Sequence, residues 1–193
     1  MAAPALVEQR PPPTALVVPI QHELRACQGQ HLILPDGSAV PFRQIHPDDT
    51  AALQRFHERL SETSVRLRFF GVMPHLSEAM AWYFTHVDGE QRFALVALDP
   101  HAANEIIGVV RFDREPGTTS AEYAAIVADH WQGHGLGLAL TQRLIEAARV
   151  RGVQTLTAEV LPENARMFNL LRDLGLPERL RHGSGIEHVE VSL

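Results

Sequence analysis

IVADHWQGHGLG, the stretch at residues 126–137, decides the fold of this chain more than any other part. A strand-like apolar run leads into a turn with Gly133, Gly135 and Gly137, and the turn opens a helix. Glycines let the backbone approach a ligand closely. The free N–H groups at the start of the following helix, and the positive end of its dipole, attract anions. The stretch therefore predicts a pyrophosphate cradle.

Two other kinds of phosphate-binding loop do not fit this stretch. A Walker A loop ends in Gly-Lys-Ser or Gly-Lys-Thr, and no such ending follows here. A dinucleotide-binding Rossmann turn usually lies early in its fold, with an acidic residue about 20 residues further on. Because this turn comes late in the chain, after a meander of strands, the Rossmann interpretation is rejected as well.

The elements on either side of the turn follow from hydrophobic periodicity and turn residues. A meander of strands comes first, and strand–helix–strand–helix follows, which predicts a mixed α/β sheet. The predicted elements are a hairpin of 31–34 and 39–45, a helix beginning at 47, short helices over 64–70 and 77–86, strands over 93–98, 106–112 and 118–127, a helix over 135–151, a strand over 153–160, a helix over 164–174, and one or two strands within 186–191.

The composition is that of one globular domain. The chain has 193 residues, of which 45% are hydrophobic, and its formal net charge is −6. That length suits one α/β domain with a real core. The acidic balance excludes the basic footprint of a nucleic-acid-binding protein, and the apolar runs are too short to span a bilayer. We therefore expect neither a nucleic acid nor a membrane as partner.

The N-terminal 17 residues differ from the rest in being rich in proline. They show little periodicity, so we interpret 1–17 as a disordered or loosely docked leader and 18–193 as a single domain. Cys27 is the chain's one cysteine and cannot form an internal disulfide, which predicts an intracellular, cytoplasmic protein. The prolines of the leader are Pro4, Pro11, Pro12 and Pro13.

Two motifs, in the right order and at the right separation, resemble a known superfamily. QGHGLG at 132–137 resembles the Gln/Arg-x-x-Gly-x-Gly/Ala signature of the GNAT N-acetyltransferases, and 158–176 resembles their strand, Asn-led helix and Gly-apolar ending. The resemblance implies a GNAT-type mixed, mostly antiparallel central sheet of about 6–7 strands flanked by helices. A narrower resemblance, to the acetyltransferase module of bacterial protein-lysine acetyltransferases, lies in LPDG at 34–37, IHPDD at 45–49 and SETSVRLRFF at 61–70.

The resemblance implies that acetyl-CoA is the acetyl donor. The backbone of Ile126 and Val127 would then pair with the pantetheine arm, and Asn164 would contact the pantetheine or its thiol end. Asn164 also stands where a helix N-cap is expected, and both roles stay open. Backbone N–H groups over 132–137 would hold the pyrophosphate. These residues are Gln132, Gly133, His134, Gly135, Leu136 and Gly137.

No metal is expected in the site. His130 and His134 lie four residues apart, a spacing that can bind a metal on one face of a helix. Gly133 and Gly135 break the helix in this region, so the two imidazoles are not expected to share a face.

Glu122 is the predicted general base. A lysine with a pKa of about 10.4 is neutral about once in 2,500 at pH 7, so presenting it neutral costs roughly 4.6 kcal/mol. A carboxylate near the thioester can take that proton, directly or through water. Glu122 lies in the nearly uncharged strand before the turn, at the offset of the catalytic glutamate in the lysine acetyltransferases that the chain resembles. Glu159, on the next strand, is the fallback.

The general acid stays unassigned. Many superfamily members carry a tyrosine in the helix after the Asn, and the matching position here is Leu171. The acceptor should enter over the early helices, where Arg68 is interpreted as a buried ion-pair partner.

Three functions are weighed. The first is acetylation of protein lysine side chains, and the second is acetylation of a small amine. The third is a non-catalytic acyl-CoA-binding module, against which Glu122 argues. The chain is expected to be a monomer or homodimer.

Overall fold

The computed structural model describes residues 30–102 and 104–193, so the predicted leader at 1–17 and Cys27 lie outside the described residues. The strands are β1 (Gln30–Ile33), β2 (Ala39–Gln44), β3 (Arg92–Leu98), β4 (Ile106–Arg114), β5 (Ser120–Val127), β6 (Thr155–Val160), β7 (Glu178–His182) and β8 (Glu187–Ser192). The helices are α1 (Thr50–Glu58), α2 (Glu62–Phe69), α3 (Glu78–Thr85), α4 (Leu136–Val150) and α5 (Ala165–Asp173), with 3₁₀ turns at Pro47–Asp49 and Asp129–Trp131.

One sheet of eight strands, in the order β1-β2-β3-β4-β5-β6-β8-β7, runs through the described part of the chain. Its centre, β3 and β4, is almost continuously apolar and buried, as expected for strands covered on both faces. The sequence predicted the mixed, mostly antiparallel sheet correctly but set the number of strands at 6–7. The sequence shows no hydrophobic alternation over β7, ERLRH. Every residue of this strand is exposed, and four of its five side chains are charged or ionisable.

The pairing of β5 with β6 is the irregular feature that makes the site. All other strand pairs are antiparallel, whereas β5 and β6 are parallel and pair only at Ser120–Glu122 with Thr155–Thr157. β5 continues to Val127 in register with β4 on its other side. After Glu122, therefore, the β6-facing edge of β5 is left without a strand partner, and the sheet opens into a gap.

Two layers of helices cover the sheet. α4 packs on one face through Leu136, Leu140, Leu144 and Ala148, the stripe that the sequence predicted, and all four are fully buried. α1, α2 and α3 cover the opposite face over β4 and β5. No helix among residues 30–102 and 104–193 is both long and apolar enough to cross a membrane.

α5 turns its predicted stripe toward the core, as expected, but buries it incompletely. The sequence predicted that Met167, Leu170, Leu171 and Leu174 all face inward, but only Leu171 is fully buried. The others are half-buried, and Met167 and Leu170 line the gap between the separated strands. The stripe is apolar because α5 forms a wall of an open cleft and only partly a wall of the core.

Candidate active site

A cleft of about 660 Å³ occupies the gap between β5, the start of α4 and α5. Eight of the nine residues predicted to contact acetyl-CoA line this cleft. The ninth, Leu136, has its side chain fully buried in the core, so only its backbone could face a ligand. The eight are Ile126, Val127, Gln132, Gly133, His134, Gly135, Gly137 and Asn164.

The turn before α4 presents a run of unused hydrogen-bond donors. The six N–H groups from Gly133 to Leu138 donate no hydrogen bond to any described residue. The run begins after Gln132, whose N–H is 3.2 Å from the Asp129 carbonyl, and ends before Ala139, whose N–H donates to Gly135. Consecutive free N–H groups at a helix start form an anion site. The geometry fits a pyrophosphate at this turn.

Gln132 has a different position from the one expected. Its side chain donates to the Val127 carbonyl at 2.8 Å and to the Ser64 hydroxyl at 3.0 Å, and it accepts from Arg166. With its own N–H engaged as well, Gln132 braces the turn. The expectation that its N–H is free for the ligand was wrong, because the 3₁₀ turn at Asp129–Trp131 takes that N–H for its last hydrogen bond.

Hydrogen bonds of Asp129 connect the start of this turn to α2. Asp129 accepts hydrogen bonds from the backbone N–H of Ser61 at 2.9 Å, from its hydroxyl at 2.6 Å and from the Ser64 hydroxyl at 2.7 Å. Burial opposes the charge of Asp129, but the bonds from Ser61 and Ser64 more than offset it and lower the pKa of this carboxyl. α2 is thereby fixed to the glycine turn before α4.

Gly135 is required by packing as well as by backbone conformation. Its φ is +84°, in the left-handed region, and a Cβ built on it would lie 2.8 Å from Cδ of Pro35. Pro35 belongs to the turn between β1 and β2. Gly133, with a φ of +79°, has open space where its Cβ would be. The two glycines therefore serve different purposes: Gly135 lets the β1–β2 turn pack closely, and Gly133 only shapes the loop.

Asn164 is placed to fill both of the roles that the sequence left open. Its Oδ1 accepts a hydrogen bond from the N–H of Met167 at 3.1 Å, which caps α5. The residue is buried at 8% exposure, yet it lines the cleft. Its Nδ2 donates no hydrogen bond to any residue in the described ranges, so the amide that remains beside the cleft is a donor.

Glu122 lies where β5 and β6 separate. The residue is exposed, and its carboxylate makes no hydrogen bond or ion pair with any residue that the structure describes, whereas its backbone belongs to the sheet. A small pocket at the inner end of the cleft is lined by Glu122 together with Arg68, Asn164 and Met167, and the last three also line the cleft. A carboxylate without a hydrogen bond or ion pair among the described residues therefore adjoins the inner end of the cleft. Glu159 lines the same small pocket, 3.7 Å from Nδ1 of His188.

Neither tyrosine lines the cleft. The Tyr123 hydroxyl is 2.7 Å from Oγ1 of Thr141 on α4, and its burial raises the pKa of the phenol. Tyr123 thus points to the face opposite Glu122, as the alternation of β5 predicts. Tyr83, on α3, is covered by the Arg92 guanidinium, 3.7 Å from its ring centroid. Leu171 is buried in the core, and the general acid remains unassigned.

Arg68 is a site residue whose position the sequence did not reveal. It was interpreted as an ion-pair partner, but its side chain forms no ion pair or hydrogen bond within the described residues, and its guanidinium lies 5.0 Å from the centroid of the Phe69 ring. It is half-buried and lines the cleft, the Glu122 pocket and a third, inner cavity. Burial, together with the nearby Arg111, lowers the pKa of Arg68 to about 10. The guanidinium still carries its charge at pH 7.

Comparison with known proteins agrees with this geometry. The family model described as Acetyltransferase (GNAT) domain matches residues 40–177. A Pseudomonas aeruginosa protein named as an acetyltransferase is 30% identical over 154 residues, which are 78% of this chain and 82% of that protein. Acetyltransferase Pat of Mycolicibacterium smegmatis is 32% identical over 134 residues, which are 69% of this chain but 40% of that longer protein. The crystal structure of the GNAT domain of S. lividans PAT matches with a TM-score of 0.79 and 33% identity, covering 84% of this chain and 96% of that domain.

Proposed function

The chain belongs to the GNAT acetyltransferase family, and from this premise we propose that it moves the acetyl group of acetyl-CoA directly onto an amine, with Glu122 as general base. The observation that carries the proposal is the unpaired Glu122 carboxylate beside the inner end of the cleft. GNAT acetyltransferases use acetyl-CoA. Our proposal concerns the roles of individual residues and the identity of the acceptor.

The donor half of the site would hold acetyl-CoA mainly through the backbone. The free N–H groups over 133–138 suit the pyrophosphate. The unpaired edge of β5 at Ile126 and Val127 suits the amide groups of the pantetheine arm, which would add to the sheet like a strand. The Asn164 amide would meet the thiol end. This arrangement leaves the thioester at the inner end of the cleft, beside the pocket of Glu122.

The acceptor amine must lose a proton before it can attack. In the proposed step Glu122 takes that proton, directly or through one water, and the amine nitrogen forms a bond to the thioester carbonyl carbon. The C–S bond then breaks, and CoA leaves as a thiolate that takes a proton from solvent. A free, exposed carboxylate suits this role because it can exchange its proton with water after each turnover.

Protein lysine side chains are the proposed acceptors. Support comes from the resemblance of 34–37, 45–49 and 61–70 to bacterial protein-lysine acetyltransferases, and from the 33% identity to the S. lividans PAT domain. The exposed position of Glu122 also suits a long side chain presented by another protein. The one cysteine of the chain fits the cytoplasm, which we propose as the compartment.

A small amine that carries a carboxylate is the second candidate acceptor. The specific observation in its favour is Arg68, a cation without an ion-pair partner among the described residues, which lines both the cleft and the Glu122 pocket.

Turnover of acetyl-CoA, read as release of free thiol against a panel of proteins and small amines, tests the proposal. We expect amine-dependent thiol release, and a mass increase of one acetyl group on the acceptor. Acetyl-CoA in hundredfold excess over its dissociation constant should also stabilise the fold by about 2.7 kcal/mol. Tight binding of acetyl-CoA without turnover of any acceptor would reject the enzyme mechanism in favour of a binding module.

A further inference from the structure

The inner cavity that Arg68 lines has a volume of about 40 Å³. It lies against β4 and β5, beneath α1, α2 and α3. Its walls are apolar except for three side chains, His57, Arg68 and Arg111. All three bring N–H donors, and no carboxylate or hydroxyl lines this cavity. A small apolar cavity with three donor groups is unusual, because buried polar groups normally have partners.

His57 has unused hydrogen-bonding capacity. It is 4% exposed, and neither Nδ1 nor Nε2 has a hydrogen-bond partner in the described part of the chain. Burial, helped by nearby His75, lowers the pKa of the imidazole. The ring is therefore neutral near pH 7, with one N–H to donate.

Arg111 is only partly satisfied. It is 5% exposed and stacks on Phe84, with 4.7 Å between its guanidinium carbon and the ring centroid. Its Nη2 donates to Asp113 at 3.1 Å and its Nη1 contacts the Phe84 carbonyl at 3.4 Å. Nε has no partner within the described residues. One donor of Arg111 thus remains for a ligand.

Arg68 forms the wall between this cavity and the donor cleft. Ile126 and Arg68 line both spaces, and Arg68 also lines the Glu122 pocket. The carboxylates whose charges act on Arg68 are those of Glu122 and Asp113. Asp113 already bonds Arg111 and lies 3.7 Å from Nε of Arg92, and Glu122 makes no hydrogen bond to Arg68. An anion bound at Arg68 would therefore lie beside the reacting groups.

We propose that Arg68, backed by His57 and Arg111, binds a carboxylate of the amine acceptor, so that the enzyme selects acceptors with a carboxylate near the amine. The half-buried Arg68 guanidinium lies 5.0 Å from the centroid of the Phe69 ring but makes no hydrogen bond or ion pair among the described residues. An ionised partner would supply those missing interactions. The carboxylate can belong to an amino acid or to an acidic residue beside a target lysine. The inference rests on the proposed transfer reaction and defines its acceptor.

Matched acceptors that differ only in a carboxylate test the proposal. One arm compares α-amino acids with their carboxamides, and a second compares lysine peptides that have Glu or Gln beside the lysine. The variant is Arg68→Met, which keeps length and apolar contact but removes the charge. Its control is Arg66→Met on the same helix, since the Arg66 side chain is 50% exposed and, within the described part of the chain, forms an ion pair only with Glu163.

We expect wild type and Arg66→Met to prefer the carboxylate acceptor in at least one arm by about ten- to hundredfold in kcat/KM, as a charge-assisted hydrogen bond allows. The arm that shows the preference identifies the source of the carboxylate. In Arg68→Met the preference should vanish, so that the ratio of kcat/KM for the carboxylate acceptor to kcat/KM for its neutral counterpart falls to about one. The Arg68 side chain makes no hydrogen bond or ion pair in the described ranges, and Met keeps its apolar packing. Loss of the guanidinium contact with the Phe69 ring, 5.0 Å from its centroid, should therefore lower the melting temperature only slightly.

Three results would overturn the inference. They are equal use of charged and neutral acceptors by wild type, a preference that survives in Arg68→Met, and an Arg68-dependent preference for succinyl-CoA over acetyl-CoA with no preference among acceptors. The last result would place the carboxylate on the acyl group. If no amine of either kind is acetylated, it is the proposed function that fails.

Discussion

The two halves of the proposed site, one for the donor and one for the acceptor, are built from different parts of the chain. The donor half is formed by backbone groups of one stretch, the free edge of β5 and the N–H groups over 133–138. The acceptor half is formed by side chains, with His57 from α1, Arg68 from α2, Arg111 from β4 and Glu122 from β5. A backbone site is encoded locally, whereas a side-chain site depends on how distant elements pack. We therefore expect single substitutions to separate donor binding from acceptor chemistry.

The largest effect is expected at Glu122. Glu122→Gln keeps the size of the side chain but removes the basic oxygen, so turnover near pH 7 should fall by roughly 10²–10⁴, the usual contribution of a positioned base. Acetyl-CoA affinity should persist because the donor half is backbone. Steady-state kinetics and calorimetry measure the two effects separately.

Glu159→Gln is the matched control for that variant, since both carboxylates line the same small pocket. Its turnover should change only a few-fold. If Glu159→Gln shows the large loss while Glu122→Gln stays active, the base is Glu159 and the assignment of Glu122 is wrong.

A smaller effect is expected from a charge placed at the donor turn. His134 is exposed and lines the cleft, so His134→Asp puts a negative charge beside the pyrophosphate position. Repulsion at this range amounts to about 1–3 kcal/mol, which weakens acetyl-CoA binding by about ten- to hundredfold. His130→Asp, exposed but outside the cleft, should leave the affinity unchanged. Equal affinity in both variants, measured by calorimetry, would move the pyrophosphate elsewhere.

The smallest effect distinguishes the two glycines of the turn. Gly133→Ala and Gly135→Ala share the penalty for a positive φ, but only at 135 does the new methyl group meet Pro35. Gly135→Ala should therefore lower the free energy of unfolding by about 1 kcal/mol more than Gly133→Ala. Urea denaturation measures the difference. If both variants lose the same free energy of unfolding, the Pro35 ring can move away from the new methyl group, and packing does not require a glycine at 135.

The geometry of the proposed donor half could be predicted because its signals are local. The glycine turn, the strand before it and the Asn164 cap are each contained in a few neighbouring residues. The stripe of α4 was equally clear, since its 3.6-residue period faces a continuous core. The sequence did not predict that the N–H of Gln132 donates to the Asp129 carbonyl, because this hydrogen bond depends on a 3₁₀ turn of three residues.

Apart from Glu122, the proposed acceptor half could not be predicted, for the opposite reason. The charge of Arg68 and the His57 imidazole lie on separate helices that meet only after α1 and α2 pack on the sheet. Nothing in their spacing indicates a shared cavity. β7 was missed because its side chains carry no apolar alternation, and its pairing with β8 decides its structure.

The pH dependence of the Glu122→Gln defect tests most directly the claim that Glu122 deprotonates the amine between the two halves. The rates of wild type and variant should be measured from pH 7 to 10 with saturating acetyl-CoA. We predict that the ratio of wild-type to variant rate falls as the pH rises toward the pKa of the amine, about 10.4 for lysine, because more substrate then arrives neutral. A ratio that stays constant over this range would contradict the role of Glu122 as general base.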